Sequence, residues 1–349
     1  MTHGVSIGER VKLARMSAGL NQRQLGKELG MSPMAISKYE TGEVVPNSRV
    51  LIRLSEVLNV PLDFFFRSIE VTLSEPQYRC RKALKKSEEK KILGRTRDWL
   101  ERYLEIELIT DQTRELDIPS GEPCTVASME DVEDAAQQVR DYWSLGLDPI
   151  ENVMDVLEQH GIKVGLIEAS EAFDALTFYY DNHTPVIVIN SVMSGDRQRF
   201  NLAHELGHLV LRCEGDIDPE KAMQRFAGAF LVPKAMASLE IGEHRNALNM
   251  DELHVLKRKY GMSMAAWIFR ATDLGILAPE TALRYWMYFK RKGWHKQEPF
   301  DPVPAERPTH MVLLTLRALS ENRITKSRVK ELLGTEMEQF SELRSLGSA

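Results

Sequence analysis

The residues of this chain whose types and spacing most clearly suggest chemistry are His204-Glu205-Leu206-Gly207-His208. Two histidines four residues apart on a helix lie on one face, one turn separated, close enough to bind a single ion. A glutamate one position after the first histidine reaches water on that ion rather than the ion itself. Zinc held by three protein ligands keeps a fourth position for water and brings its pKa down to about 7. Glu205 then has the place of a general base, taking a proton from water and passing it to a leaving amine. The motif lacks its third ligand, because Leu209–Glu214 supplies no further histidine. Glu214, Asp216, Asp218, Glu220 and His244 are the candidates in the stretch that follows. Phe200, Leu202, Ala203, Leu206, Leu209, Val210 and Leu211 make the motif's helix apolar nearly all round. It is therefore a buried helix, and buried His-Glu-His side chains need partners.

The elements that must position this motif are legible upstream and downstream. Ala175–Tyr180 is rich in aromatic and β-branched residues and predicts a strand. Asp181-Asn182-His183-Thr184 makes a turn, and Pro185–Asn190 predicts a second strand, together a hairpin. His183 reads as a solvated turn residue. Strand Val186–Asn190 is expected to offer an edge along which an extended peptide adds. A helix from Asp196 to Leu211 carries the motif, and Glu220–Leu231 predicts another.

A second chemistry sits at the N-terminus. Ile7, Val11, Leu13 and Ala14 mark a helix closed by Gly19. Asn21 caps Gln22–Leu29, and Ser32 with Pro33 opens a helix through Tyr39. Ser48–Leu58 and a closing helix at Pro61–Phe65 follow. Two short helices on a tight turn form a helix-turn-helix. Residues 20–60, with their turn glycines and the Tyr39-Glu40-Thr41-Gly42 ending, resemble the Xre family, the phage Cro and repressor type of DNA-binding domain. That resemblance implies that Pro33–Tyr39 enters the major groove of double-stranded DNA, with Gln22, Arg23, Ser32, Met34, Ser37 and Lys38 at the interface. It also implies a structural Arg15–Glu40 pair and a dimer that supplies the second half-site. Residues 1–67 carry nine Lys/Arg against six Asp/Glu, a surplus of three.

The metal motif carries a resemblance of its own. Arg197–Leu209, preceded by Val186–Asn190 and followed by Glu220…Arg225-Phe226-Ala227-Gly228-Ala229-Phe230-Leu231-Val232-Pro233, resembles the ImmA/IrrE metallopeptidases over roughly residues 125–245. In that family the glutamate six residues before the Phe-Ala pair is the third zinc ligand, which here is Glu220. The usual acidic-Ala-Asn triplet before Phe-Ala is altered to Ala222-Met223-Gln224-Arg225. Members of the family cleave Xre-type repressors and switch on mobile-element or stress-response genes. The resemblance implies the same class of substrate protein.

The chain has 349 residues, 43% apolar and 28% charged, with a net charge of −6. This is globular composition with material for more than one core. Cys80, Cys124 and Cys213 are odd in number and far apart, which implies a reduced, cytoplasmic protein. No signal-like segment or membrane span is evident. The expected class is mainly α with a small α+β peptidase domain. A five-helix helix-turn-helix domain (5–67) precedes a charged helical linker (68–118). A thermolysin-like zincin core (119–246) and a helical C-terminal region (247–349) complete the chain. Pro76–Arg97 carries nine Lys/Arg and two Asp/Glu. It predicts the start of one long helix over 76–118, with Ala83, Leu84, Ile92 and Leu93 on the buried stripe and a basic face able to meet phosphate. Downstream, Leu253–Tyr260, Ser263–Asp273, Glu280–Lys290, Met311–Ser320 and Lys326–Leu333 predict helices, with a Pro-rich interruption at Glu298–Pro308. Two functions follow. One is a DNA-tethered zinc endopeptidase, self-cleavage within 68–118 included. The other is a non-proteolytic regulator whose peptidase fold senses metal or a partner.

Overall fold

A computed structural model describes residues 6–67, Val71, the backbone of 77–80, and residues 84–333. The α-helices in chain order are α1 (Ile7–Ser17), α2 (Gln22–Leu29), α3 (Pro33–Glu40), α4 (Ser48–Leu58), α5 (Lys86–Thr110), α6 (Met129–Tyr142), α7 (Val153–Gln159), α8 (Gly195–Val210), α9 (Pro219–Leu231), α10 (Lys234–Ile241), α11 (Met250–Tyr260), α12 (Met264–Asp273), α13 (Pro279–Lys292), α14 (His310–Ser320) and α15 (Lys326–Leu333). The strands are β1 (Gln77–Cys80), β2 (Cys124–Val126), β3 (Lys163–Ile167), β4 (Phe173–Tyr180), β5 (Thr184–Asn190) and β6 (Leu211–Cys213). The protein is mainly helical with a small sheet. It divides into two compact units, and the division cuts across the stretches visible in sequence. One unit holds residues 1–75, 80–113 and 309–349. The other holds 76–79 and 114–308.

In the first unit, Ser6, Asn21, Ser32 and Asn47 each cap the helix that follows with a side-chain oxygen. Each occupies an N–H that the helix cannot satisfy internally. Gly30 closes α2 in the left-handed region at φ 67°. Gly26 permits the tight α2–α3 turn, since a Cβ there would stand 2.7 Å from the Met31 carbonyl oxygen. Val11, Leu25, Leu29, Ile36, Leu54, Phe64 and Phe65 form the core beneath these helices. The expected fifth helix is instead a one-turn 3₁₀ segment, Leu62–Phe66, which follows Pro61 and is too short for an i→i−4 ladder.

The single helix expected over 76–118 does not form. Gln77–Cys80 is a strand, and α5 starts at Lys86 and ends at Thr110, where Asp111 turns left-handed at φ 53°. Ile92 is buried and Leu93 half-buried, as the stripe required, while Ala83 lies outside the described residues. Helix α5 is not a solvated connector. Gly94 brings it against α1, where a Cβ would stand 2.0 Å from Ser17 Oγ. Arg10 of α1 and Glu101 of α5 form a buried ion pair. Helices α14 and α15 pack on α5 as well, and Arg328 of α15 reaches both Glu105 and, at 2.7 Å, Asp63.

In the second unit the main sheet has the order β1-β4-β5-β3. Strands β4 and β5 pair antiparallel, Tyr180 opposite Thr184, and β3 runs parallel to β5, Lys163 opposite Val186. Asp181 and Asn182 take the left-handed turn positions at φ 50° and 60°, which short polar side chains tolerate. The edge expected along Val186–Asn190 is therefore absent, because β5 is interior and bonded on both sides. Its near-continuous burial fits that place. Helix α8 lies against β5, and α9 packs across α8 and α6. Strands β2 and β6 form a separate parallel pair directly after α8.

The Pro-rich segment is a strap rather than a loose loop. Gly195 N donates to the Val303 carbonyl at 2.9 Å, and Glu306 N donates to Gln198 Oε1 at 3.0 Å. A Cβ on Gly195 would meet the Pro304 carbonyl oxygen at 1.9 Å. Arg199 of α8 pairs with Glu306, which also accepts from Val153 N at 2.8 Å. Glu298 accepts from Met264 N and Ala265 N and so caps α12. The N-terminal half of the motif helix is thereby anchored. Among the described residues no helix is long and apolar enough to cross a membrane.

Candidate metal centre

Helix α8 is buried at thirteen of its sixteen positions, which holds its polar side chains in fixed surroundings. His204 is 1% exposed and His208 31%. Their Nε2 atoms face each other at 3.2 Å. Glu220 stands in the first turn of α9, whose N-cap is Asp218, with Pro219 at the first helical position. Its carboxylate oxygens lie 3.5 Å from His204 Nε2 and 3.7 Å from His208 Nε2. Among the described residues His204, His208 and Glu220 are the group of three whose ligand atoms converge. Of the other third-ligand candidates, Asp218 spends its carboxylate on the N–H groups of Glu220 and Lys221. Glu214, Asp216 and His244 are exposed and outside the cluster.

The spacing can be tested against an ion. Zinc donors at about 2.0–2.2 Å in a tetrahedron stand roughly 3.3–3.6 Å from one another. The two histidine nitrogens stand 3.2 Å apart, and each has a different Glu220 carboxylate oxygen at 3.5 or 3.7 Å, separations close to an edge of that tetrahedron. Two imidazole nitrogens and a carboxylate are also the donor set that suits zinc.

Helix α9 comes this close because of Gly207, the small residue inside the motif. A Cβ at that position would stand 2.9 Å from Met223 Sδ and 3.2 Å from the Phe226 ring. Arg225, the departure from the usual triplet, faces Glu133 of α6 and, at 3.7 Å, Asp273 of α12. Arg270 pairs with the same Glu133. Arg225 thus joins a charge cluster that holds α9 to α6 and α12, apart from His204, His208 and Glu220. Burial, against the pull of Arg225 and Arg270, raises the Asp273 carboxyl above its ordinary pKa.

Glu205 is 6% exposed. The Thr177 hydroxyl of β4 donates to its Oε2 at 2.9 Å. Nothing in the residue pattern assigned Thr177 this place, since a strand threonine is ordinary β-forming material. A second tie, Arg197 Nη2 to Asp174 Oδ2 at 2.5 Å, joins the same strand and helix. The two ties are three residues apart on β4 and eight on α8, about 10 and 12 Å. Strand β4 therefore runs beside the motif helix along the carboxylate. Cys213 is half-buried, and burial pushes its thiol pKa up, which leaves it a packed small side chain.

In the first unit, the residues expected at DNA are unevenly displayed. Arg23 is exposed and Met34 70% exposed. Gln22 is turned inward, its amide donating to Glu40 Oε2 at 2.8 Å. Arg15 holds the same carboxylate, with Nη2 to Oε2 at 2.9 Å. Ser32 is the N-cap of α3, accepting from Ala35 N at 3.2 Å. Ser37 is half-buried, and Lys38 reaches Glu43 at 3.2 Å.

Comparison with known proteins finds a family match over each of the two regions. The family described as IrrE N-terminal-like domain, peptidase M78, matches residues 157–272, and the helix-turn-helix family matches residues 11–65. An uncharacterized HTH-type transcriptional regulator of Sinorhizobium medicae is 39% identical over 62 residues, 18% of this chain and 45% of that protein. The HTH-type transcriptional regulator ImmR of Bacillus subtilis is 32% identical over 68 residues, 20% and 54% respectively. Repressor protein C2 of Salmonella phage P22 is 36% identical over 61 residues, 18% and 28%. The chain spans about half the length of the first of these relatives, or less. It joins a helix-turn-helix domain to an IrrE N-terminal-like domain, the architecture that the ImmA/IrrE resemblance implied.

Proposed function

We propose that the protein is a DNA-binding, zinc-dependent endopeptidase of thermolysin-like type that cleaves an Xre-type repressor in the cytoplasm. The observation that carries this reading is the convergence of His204, His208 and Glu220 beside a positioned Glu205. His204 and His208 would hold zinc through Nε2, and Glu220 through its carboxylate. Zinc, when bound, supplies Lewis acidity to water and to the scissile carbonyl. Glu205 takes the water proton and returns it to the leaving amine. Thr177 occupies one oxygen of that carboxylate and fixes its orientation, so the base does not swing away between the two transfers. A metal sensor would have no need of such a positioned base.

At the DNA, Arg23, Met34, Ser37 and Lys38 are the proposed contacts, with Gln22 and Ser32 positioning the two helices. A helix-turn-helix bound near a repressor's site raises the local concentration of that substrate. A homodimer would read two half-sites.

The test is cleavage of the Xre-type repressor encoded nearby by the zinc-loaded protein, read by intact mass spectrometry, with Glu205→Gln beside it. Wild type is expected to cut one bond and the variant none. If neither cuts, and the variant regulates transcription as wild type does, the fold is a non-proteolytic regulatory module instead.

A further inference from the structure

We infer that the outer edge of β4 is the docking edge for an extended peptide, and that the chain's own strand β1, Gln77–Cys80, already occupies it. The inference rests on the peptidase reading above and concerns what reaches that site.

In the order β1-β4-β5-β3, β4 has β5 on one side and β1 on the other. Strand β4 is the one that holds Glu205, through Thr177. A peptide laid along its outer edge would run beside the proposed base and donate and accept main-chain hydrogen bonds, as added strands do. Without β1, that edge would present a row of unpaired N–H and C=O groups.

Strand β1 is not an integral part of the hairpin sheet. Only residues 76–79 of its region group with the second unit, while the chain before and after them groups with the first. It spans four residues against the eight of β4, so its ladder is short and a longer strand can replace it. Its sequence, Gln77-Tyr78-Arg79-Cys80, has no proline to interrupt a ladder. The basic run 76–97 therefore begins as a pseudo-substrate strand, not as a helix. The site is expected to stay closed to extended peptides until β1 is displaced.

The test uses the full chain in a Glu205→Gln background and a fluorescein-labelled peptide of residues 71–84. Wild-type β1 competes with the peptide in cis. Tyr78→Pro with Arg79→Pro removes two N–H donors and breaks the strand. Peptide binding, read by anisotropy, is expected to tighten at least ten-fold in the double variant. Equal affinity in both proteins, or no binding to either, overturns the inference. Hydrogen exchange gives a reading that does not depend on the variant's folding. The outward-facing β4 amides that lie opposite the four residues of β1 are expected to be protected in the intact chain like those facing β5, and free exchange at all outward-facing β4 amides overturns it. Both readouts are independent of turnover, so failure of the cleavage assay with protected outer amides would remove the peptidase reading and leave the strand contact standing.

Discussion

At the scale of single residues, Thr177 is the side chain that ties Glu205 to β4. Thr177→Val keeps shape but removes the hydroxyl from the Glu205 carboxylate. A hydrogen bond to a charged group contributes about 1.5–3 kcal/mol, so cleavage should slow about ten-fold or more while zinc content is unchanged. Loss of zinc in Thr177→Val would count against a role in orientation. Glu220→Gln should separate the opposite way, with zinc per chain falling when measured by elemental analysis. Full zinc retention would return the third-ligand question to Glu214 and its neighbours. Asp117 offers a pH test of the surrounding unit. The Tyr142 hydroxyl, and then His160, hold its carboxyl below the ordinary carboxylate range. A carboxylate with a lowered folded pKa stabilises the fold above its unfolded pKa, about 4, and loses that contribution as pH falls through the folded value. The stability difference between wild type and Asp117→Asn, read by urea unfolding, should be largest near neutral pH and shrink as pH falls through the lowered folded pKa. A difference that grows on acidification would refute the assignment.

At the scale of elements, α8 and α9 are brought to metal-binding distance by the absence of a side chain. Gly207→Ala adds a methyl that must displace Met223 Sδ and the Phe226 ring. Overpacking of this kind costs about 1–3 kcal/mol, offset in part by alanine's better helix propensity. Zinc affinity should fall with it, because Glu220 moves with α9. A stable variant of unchanged affinity would show that the helices have slack. In the helix-turn-helix, Ser32→Ala removes the α3 cap and should cost about 1 kcal/mol in thermal unfolding. Arg23→Ala should lower the salt slope of DNA binding by about 1 without touching stability. The helical elements were legible because Ser, Asn and Gly mark their ends, so Gln22–Leu29 and Ser48–Leu58 agree to the residue. The start of the basic run was misread. Its lysines, which favour a helix, begin only at Lys82, while Gln77–Cys80 lies beside β4 as a strand.

At the scale of the whole molecule, chain order and spatial grouping part company. Helices α14 and α15 come last in sequence yet pack on α5 in the unit of the helix-turn-helix. Truncation after Pro308 should therefore lower the thermal stability of that unit while zinc per chain stays the same. Loss of zinc in the truncated chain would contradict the division. The buried Arg10–Glu101 pair adds a second route to the same unit. Breaking a buried ion pair by removing one partner costs about 3–5 kcal/mol, and Arg10 keeps its hydrogen bonds to the Arg67 carbonyl if Glu101 is removed.

Sequence alone determined the spacing of His204, Glu205 and His208, the helix bearing them, and the helix-turn-helix with its caps. These are local properties, set by the 3.6-residue repeat and by which side chains can satisfy helix ends. Spacing left Glu214, Asp216, Asp218, Glu220 and His244 open, the family resemblance pointed to Glu220, and the tertiary structure places Glu220 at the histidines. It also decided that Thr177 donates to Glu205, that β5 lies inside the sheet, and that β1 lies beside β4. Those outcomes depend on how close two elements approach and which edge remains open. Contacts between residues far apart in the chain decide that, and no local pattern encodes them.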